Sequence, residues 1–209
     1  MKETMITSVI ELVKEGIAAS FDYAAYKEMV STLLETGKST GQEQSEALTN
    51  YSLLNERRMK RLDKTITINS SIREAIATMH MDVTWLVLTE GWCGDAAQSL
   101  PILNKLAAIN PGINLRIVLR DQHTELMDKF LTNNGRSIPK LIAYDANEEQ
   151  VLYTWGPRPS IATKMVEAFK KEHGNLNAVF KQDLQVWYNK DKGETLVNDF
   201  VELLKNHSA

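Results

Sequence analysis

Apolar positions recur every three or four residues over the first third of the chain. Ile6, Val9, Ile10, Val13 and Ile17 form one such stripe, which predicts a helix within residues 1–20. Asp22 can cap a second helix, with Tyr23, Tyr26, Val30, Leu33 and Leu34 on one face and Gly37 at its end. The polar run from Ser39 to Gln42 predicts a turn. Thr40 with Glu43 has the spacing of a capping box for a third helix, ending near Leu62.

From Thr65 the period changes. Thr65-Ile66-Thr67-Ile68 alternates as a short strand does. Ser71 with Glu74 has the spacing of a capping box ahead of Ile72, Ala75, Ile76 and Met79. A strand over 83–89 is predicted next, then a helix to about Ile109, a turn at Pro111-Gly112 and a strand over 114–119. Arg120 to His123 reads as a loop. Leu126, Phe130 and Leu131 mark a helix that Asn133-Asn134-Gly135 ends. Two strands follow, over 138–144 and 151–155, joined by a short polar turn. Pro139 stands at the start of the first, where a missing donor is tolerated. Residues 160–172 and about 175–206 are helical, with a break at Asp191-Lys192-Gly193. Residues 65–172 therefore read β-α-β-α-β-α-β-β-α. The alternating half requires right-handed crossovers into a shared sheet, and the closing strands form an antiparallel hairpin.

Composition narrows the classes. The 209 residues carry a net charge of −3, so no global field favours nucleic acid or an anionic membrane. No run approaches the roughly 20 apolar residues of a membrane span. Glu3, Glu11, Lys14 and Glu15 interrupt the apolar residues of the N-terminus, unlike a signal peptide. A single cysteine excludes an internal disulfide and makes the cytosol the default compartment. His80, His123, His173 and His207 show no ligand spacing, and no phosphate-binding or dinucleotide fingerprint is present. No metal and no cofactor are therefore expected. Arg57, Arg58, Lys60, Arg61 and Lys64 crowd the end of the third helix, where the dipole favours cations.

The candidate chemistry lies in Thr84–Pro101. A bulky apolar strand breaks at Gly91, and Cys93 stands where a helix begins. Helix-terminal amides and the dipole favour a thiolate there. Asp95 acts the other way, because a like charge raises a thiol pKa. Cys93 has a second reading, as a small buried hydrophobe.

Strand order and motif together resemble the thioredoxin family. Trp92-Cys93-Gly94 matches the start of the thioredoxin Trp-Cys-Gly-Pro-Cys signature. Pro101, eight residues beyond Cys93, falls where thioredoxins kink the active-site helix. Arg136-Ser137-Ile138-Pro139 resembles the segment carrying their cis-proline, and Gly156 lies near their groove glycine. The chain as a whole is similar to a bacterial thioredoxin-like group with Trp-Cys-Gly-Asp-Ala. The resemblance implies an α/β thioredoxin fold over 65–172, a helical extension over 1–64 packed on it, and another over 173–209. It also implies that Ile138 exposes its backbone to an extended substrate.

The departures bear on chemistry. Ala96 stands where thioredoxins have the resolving cysteine, Asp95 where they have the signature proline, and Val87 where they bury a proton-transferring aspartate. Releasing a mixed disulfide needs a second thiol. This chain supplies none, so it does not act alone as a thioredoxin-type reductase.

Two functions follow. In one, Cys93 is a monothiol nucleophile, oxidised in a variant of this reading to a sulfenic acid. Trp92, Gly94, Asp95, Arg120, Arg136, Ile138, Pro139, Gly156 and Arg158 then surround a thiol or disulfide substrate. Arg120, Arg136 and Arg158 converging on one groove suit an anionic thiol. In the other, the groove binds a protein or peptide and Cys93 is dispensable. The sequence leaves oligomeric state open, and an exposed lone cysteine permits an intermolecular disulfide.

Overall fold

Val83–Thr89 (β1) is the central strand of the computed structural model, which describes residues 8–207. Ile6, part of the first helical stripe, lies outside the described residues. Trp85, Leu86, Val87 and Leu88 are buried. A continuous apolar run is what a strand covered on both faces requires. β1 pairs in parallel with Ile113–Leu119 (β2), setting Val87 opposite Ile117. On its other side it pairs antiparallel with Lys140–Asp145 (β3), setting Leu88 opposite Lys140. β3 pairs antiparallel with Gln150–Trp155 (β4), giving the order β2-β1-β3-β4. The architecture is α/β, with helices beyond the sheet-forming segment at both ends.

The N-terminal helices are Val9–Ala18 (α1), Tyr23–Glu35 (α2), Glu46–Thr65 (α3) and Ser70–Ala77 (α4). Gly94–Ala107 (α5) follows β1, and Thr124–Lys129 (α6) follows β2. Ser160–His173 (α7), Ala178–Asp191 (α8) and Glu194–Lys205 (α9) close the chain. Adjacent strand residues point to opposite faces. Trp85 meets Phe200 of α9 edge-on at 5.0 Å. Leu86 points the other way, against Gly16 of α1 beside Leu126 of α6. One core joins Val13, Tyr26 and Leu62 to the sheet and to Leu196 and Phe200. A second, smaller cluster joins Ala162 and Val166 of α7 to Phe180, Leu184 and Tyr188 of α8.

The expected strand over Thr65–Ile68 does not form. Thr65 is the last residue of α3, and Ile66 and Ile68 are buried in a stretch that pairs with no strand. The Ile66 N–H closes α3 onto the Leu62 carbonyl. Its own carbonyl accepts from Lys105 Nζ at 2.7 Å. The free edge of β2 is met instead by Phe21, whose N–H and C=O both bond Ile117 at 2.8 Å.

Two helix starts also move. Ser45, not Thr40, caps α3 by accepting from the Leu48 N–H, and Asn69, not Ser71, caps α4 by accepting from Ile72. α6 ends at Lys129, leaving Phe130 and Leu131 beyond it.

Candidate functional site

β1 ends beneath a tight turn, Glu90-Gly91-Trp92, closed by the Cys93 N–H donating to the Glu90 carbonyl at 3.0 Å. Cys93 is the N-cap residue of α5. The Asp95 and Ala96 amides favour its thiolate, as the helix-start position predicts, and Arg158 adds to them. Burial acts more strongly in the opposite direction, with the Asp95 charge next, and the thiol is pushed up to about 12. The lowered pKa expected from helix position is therefore corrected. Only 7% of Cys93 is exposed, and its S–H donates to the Ile138 carbonyl at 3.3 Å. At neutral pH this is a covered, neutral thiol.

Asp95 points into the same turn. Arg158 Nη2 lies 2.6 Å from its Oδ2, and the Tyr188 hydroxyl donates to its Oδ1 at 3.0 Å. Burial nevertheless raises the Asp95 pKa, against the pull of Arg158, Tyr188 and Arg58. Gly94 has no side chain, and two others close over it: a Cβ there would lie 3.6 Å from Arg58 Nη1 and 3.7 Å from Gln185 Nε2. Tyr188 and Gln185 belong to α8 and Arg58 to α3, so these two helices together cover the start of α5.

The opposite wall is backbone. The Ile138–Pro139 peptide is cis, as is Gly156–Pro157. Gly156 has φ +117°, and its Cα faces the Pro139 carbonyl so closely that a Cβ would stand 2.1 Å from that oxygen.

The three arginines expected to converge do not. Of the three, only Arg158 pairs with a charge in the first turn of α5, the Asp95 carboxylate. Arg120 stacks 4.9 Å above the half-buried Trp92 ring, pairs with Asp121 at 2.7 Å and donates to the Arg136 carbonyl at 3.4 Å. Arg136 is exposed and holds both oxygens of Asp128 at 2.6 Å. Arg58 and Arg61 do more than answer a helix dipole: Arg58 donates to Asn55 Oδ1 at 2.9 Å, and Arg61 to Asn189 Oδ1 of α8 at 2.7 Å.

Several site residues escaped the sequence reading. Thr40 Oγ1 accepts from the Gly91 N–H at 2.7 Å, and Asn55 Nδ2 donates to the Gly91 carbonyl at 3.0 Å. Thr40 and α3 thus satisfy the N–H and the C=O of Gly91 in the turn preceding Cys93. Polar Ser52 and Asn55 on the same face of α3 as Met59 and Leu62 were the available signal. Glu90 is fully buried, with its pKa raised by that burial, and accepts from the Asp121 N–H at 2.9 Å. Replacing Thr40 by Val leaves the Gly91 N–H buried without its partner. We expect a loss of about 1–3 kcal/mol, read from urea denaturation. A stability equal to wild type would mean that the turn does not depend on this contact.

Among the described residues no group of three or more His, Cys, Asp or Glu side chains could hold a metal ion. No helix among them is long and apolar enough to cross a membrane.

No curated protein matches the chain. Two solved structures share its fold. A protein of unknown function, PA1234, from Pseudomonas aeruginosa is 18% identical with a TM-score of 0.62, over 97% of this chain and all (100%) of that one. An HIV epitope-scaffold is 17% identical with a TM-score of 0.61, over 94% of this chain and 98% of that one. The family model described as thioredoxin matches residues 41–170, a span holding Thr40's neighbour Gly41, Cys93, Pro139 and Arg158 together. With the cysteine at the start of α5 and the Pro139 wall facing it, that match shows that the chain belongs to the thioredoxin family.

Proposed function

We propose that the chain carries out monothiol thiol–disulfide exchange at Cys93 from a resting state in which the thiol is neutral and covered. The supporting observation is the seat of the sulfur. Sγ lies at the N-terminus of α5, within the influence of the Asp95 and Ala96 amides, and faces the Ile138 carbonyl across 3.3 Å. A thiolate formed there meets donors already in place, which is how a helix start stabilises sulfur charge.

The chemistry requires the thiol to be uncovered. Solvent base then takes its proton, and the thiolate attacks one sulfur of a disulfide R–S–S–R′. A Cys93–S–S–R bond forms as the R–S–S–R′ bond breaks, and R′S⁻ leaves and is protonated. An external thiolate R″S⁻ attacks the R sulfur, giving R–S–S–R″ and returning Cys93 as thiolate. The second thiol comes from outside because the chain has one cysteine. A cytosolic small thiol or protein thiol fits that requirement.

A second reading, a binding module that does not use the thiol, is favoured by one observation: burial and Asp95 oppose ionisation of Cys93. Reaction of the native protein with dithiobis(nitrobenzoate) separates the two. Exchange predicts one thiolate released per chain, absent in Cys93→Ser, at a rate well above global unfolding as followed by β1 amide exchange. Added glutathione then frees Cys93. Release only on the unfolded chain would leave the binding module.

A further inference from the structure

We infer that α8 is a lid closed over Cys93 by a polar latch, and that its release is what admits a disulfide. The inference rests on the exchange reading above for its purpose, but not for its geometry.

Three observations carry it. The first is how α8 is held. Phe180, Leu184 and Tyr188 recur every four residues and pack on Ala162 and Val166 of α7, in a cluster separate from the main core. Toward α3 and α5 three side-chain hydrogen bonds hold it. Tyr188 donates to Asp95 at 3.0 Å, Gln98 of α5 donates to Gln185 at 2.9 Å, and Arg61 of α3 donates to Asn189 at 2.7 Å. Positions 185, 188 and 189 share one helix face. Opening there trades protein partners for water at small net cost, whereas separating an apolar face exposes its whole area.

The second is the joints. Gly174, before α8, has φ +76°, and Lys192 and Gly193, after it, have φ +52° and +83°. The helix is therefore bounded on both sides by turns that end one helical direction and begin another. A void of about 10 Å³, lined in part by Gln98, Tyr188 and Gly193, lies under the second joint. The third is what the latch touches. Tyr188 bonds the carboxylate two residues from Cys93 and Gln185 stands over Gly94, so moving this one face withdraws α8 from the first turn of α5, leaving Arg58 of α3 on its other side.

The test uses the full chain with Tyr188→Phe and Asn189→Ala, each removing one latch bond, and Asn189 is exposed enough to spare the core. Two rates are read: iodoacetamide labelling of Cys93, and amide exchange in 178–191 against that in α5 and β1. Each variant is expected to speed both labelling and α8 exchange, by about three- to tenfold, while β1 protection is unchanged. Unchanged labelling and unchanged α8 exchange in both variants would overturn the lid. Faster α8 exchange with unchanged labelling would overturn it too, because α8 would then not be what covers the thiol. If both rates rise but the unlabelled Cys93 thiol of the variants still exchanges with no disulfide, the lid stands and the exchange reading fails.

Discussion

Gly156→Ala is expected to cost about 3 kcal/mol or more and to pull the two walls of the site apart. The reason is backbone against backbone. A Cβ at this position would stand 2.1 Å from the Pro139 carbonyl oxygen and 3.2 Å from its carbon, at a residue whose φ is +117°. No rotamer relieves such a contact, so the end of β4 has to leave the Pro139 loop. Ile138 then withdraws from Cys93, and the 3.3 Å S–H···O contact is lost. Gly37→Ala, just past the end of α2, is the matched control: its φ is +70°, but nothing lies within 4 Å of the added carbon. It should cost only the left-handed strain, about 1 kcal/mol. Urea denaturation gives both numbers, and labelling of Cys93 reports the withdrawal. A Gly156→Ala protein as stable as the Gly37→Ala one would refute the packing argument.

Alkaline pH should erode the contribution of Cys93 to stability. Its thiol is pushed up from an ordinary 9.0 to about 12 in the folded chain. The folded value is the higher one, so this contribution is complete below pH 9.0. Between the two values the unfolded chain has lost its proton and the folded chain has kept it. Unfolding therefore becomes easier as pH rises, by about 1.4 kcal/mol per unit, towards about 4 kcal/mol near the upper value. Other tyrosines and lysines titrate in the same range, so the measured quantity is the difference between wild type and Cys93→Ser, which has no thiol to ionise. That difference should shrink steadily from pH 9 to pH 11 in urea titrations. A difference independent of pH would mean that Cys93 is not held neutral by the fold. A labelling midpoint far below the value implied by stability would identify the reacting species as an open form, in keeping with α8 as a lid.

Much of the site was legible in the chain. The unbroken apolar run at 83–89, the break at Gly91 and the helix after it are local signals, and the structure places β1, the turn and α5 there. Pro139 at the start of a strand and Gly156 just past β4 were equally readable, because a proline's missing donor and a glycine's missing Cβ restrict where each can stand. Thr65–Ile68 misled for a physical reason. Alternation specifies which side chains are buried, and Ile66 and Ile68 are buried, but a strand also needs a hydrogen-bonding neighbour. Lys105 took the Ile66 carbonyl and Phe21 took the edge of β2. Neither competitor is near in sequence.

The sequence by itself determined the identity of the nucleophile candidate, its place at the start of a helix and the absence of a second thiol. These follow from residue types and short periodicities, which act over a few positions of the chain. The tertiary structure alone decided the state of that thiol. Helix amides a residue or two away pull the sulfur towards ionisation, but the strength of desolvation depends on everything that packs around it. Here that includes Ile138 from across the sheet, and Tyr188 and Arg158 fixing the Asp95 carboxylate from the C-terminal half. Because charge burial is set by the surroundings in space, a local motif predicts where the sulfur sits and the fold decides whether it is charged.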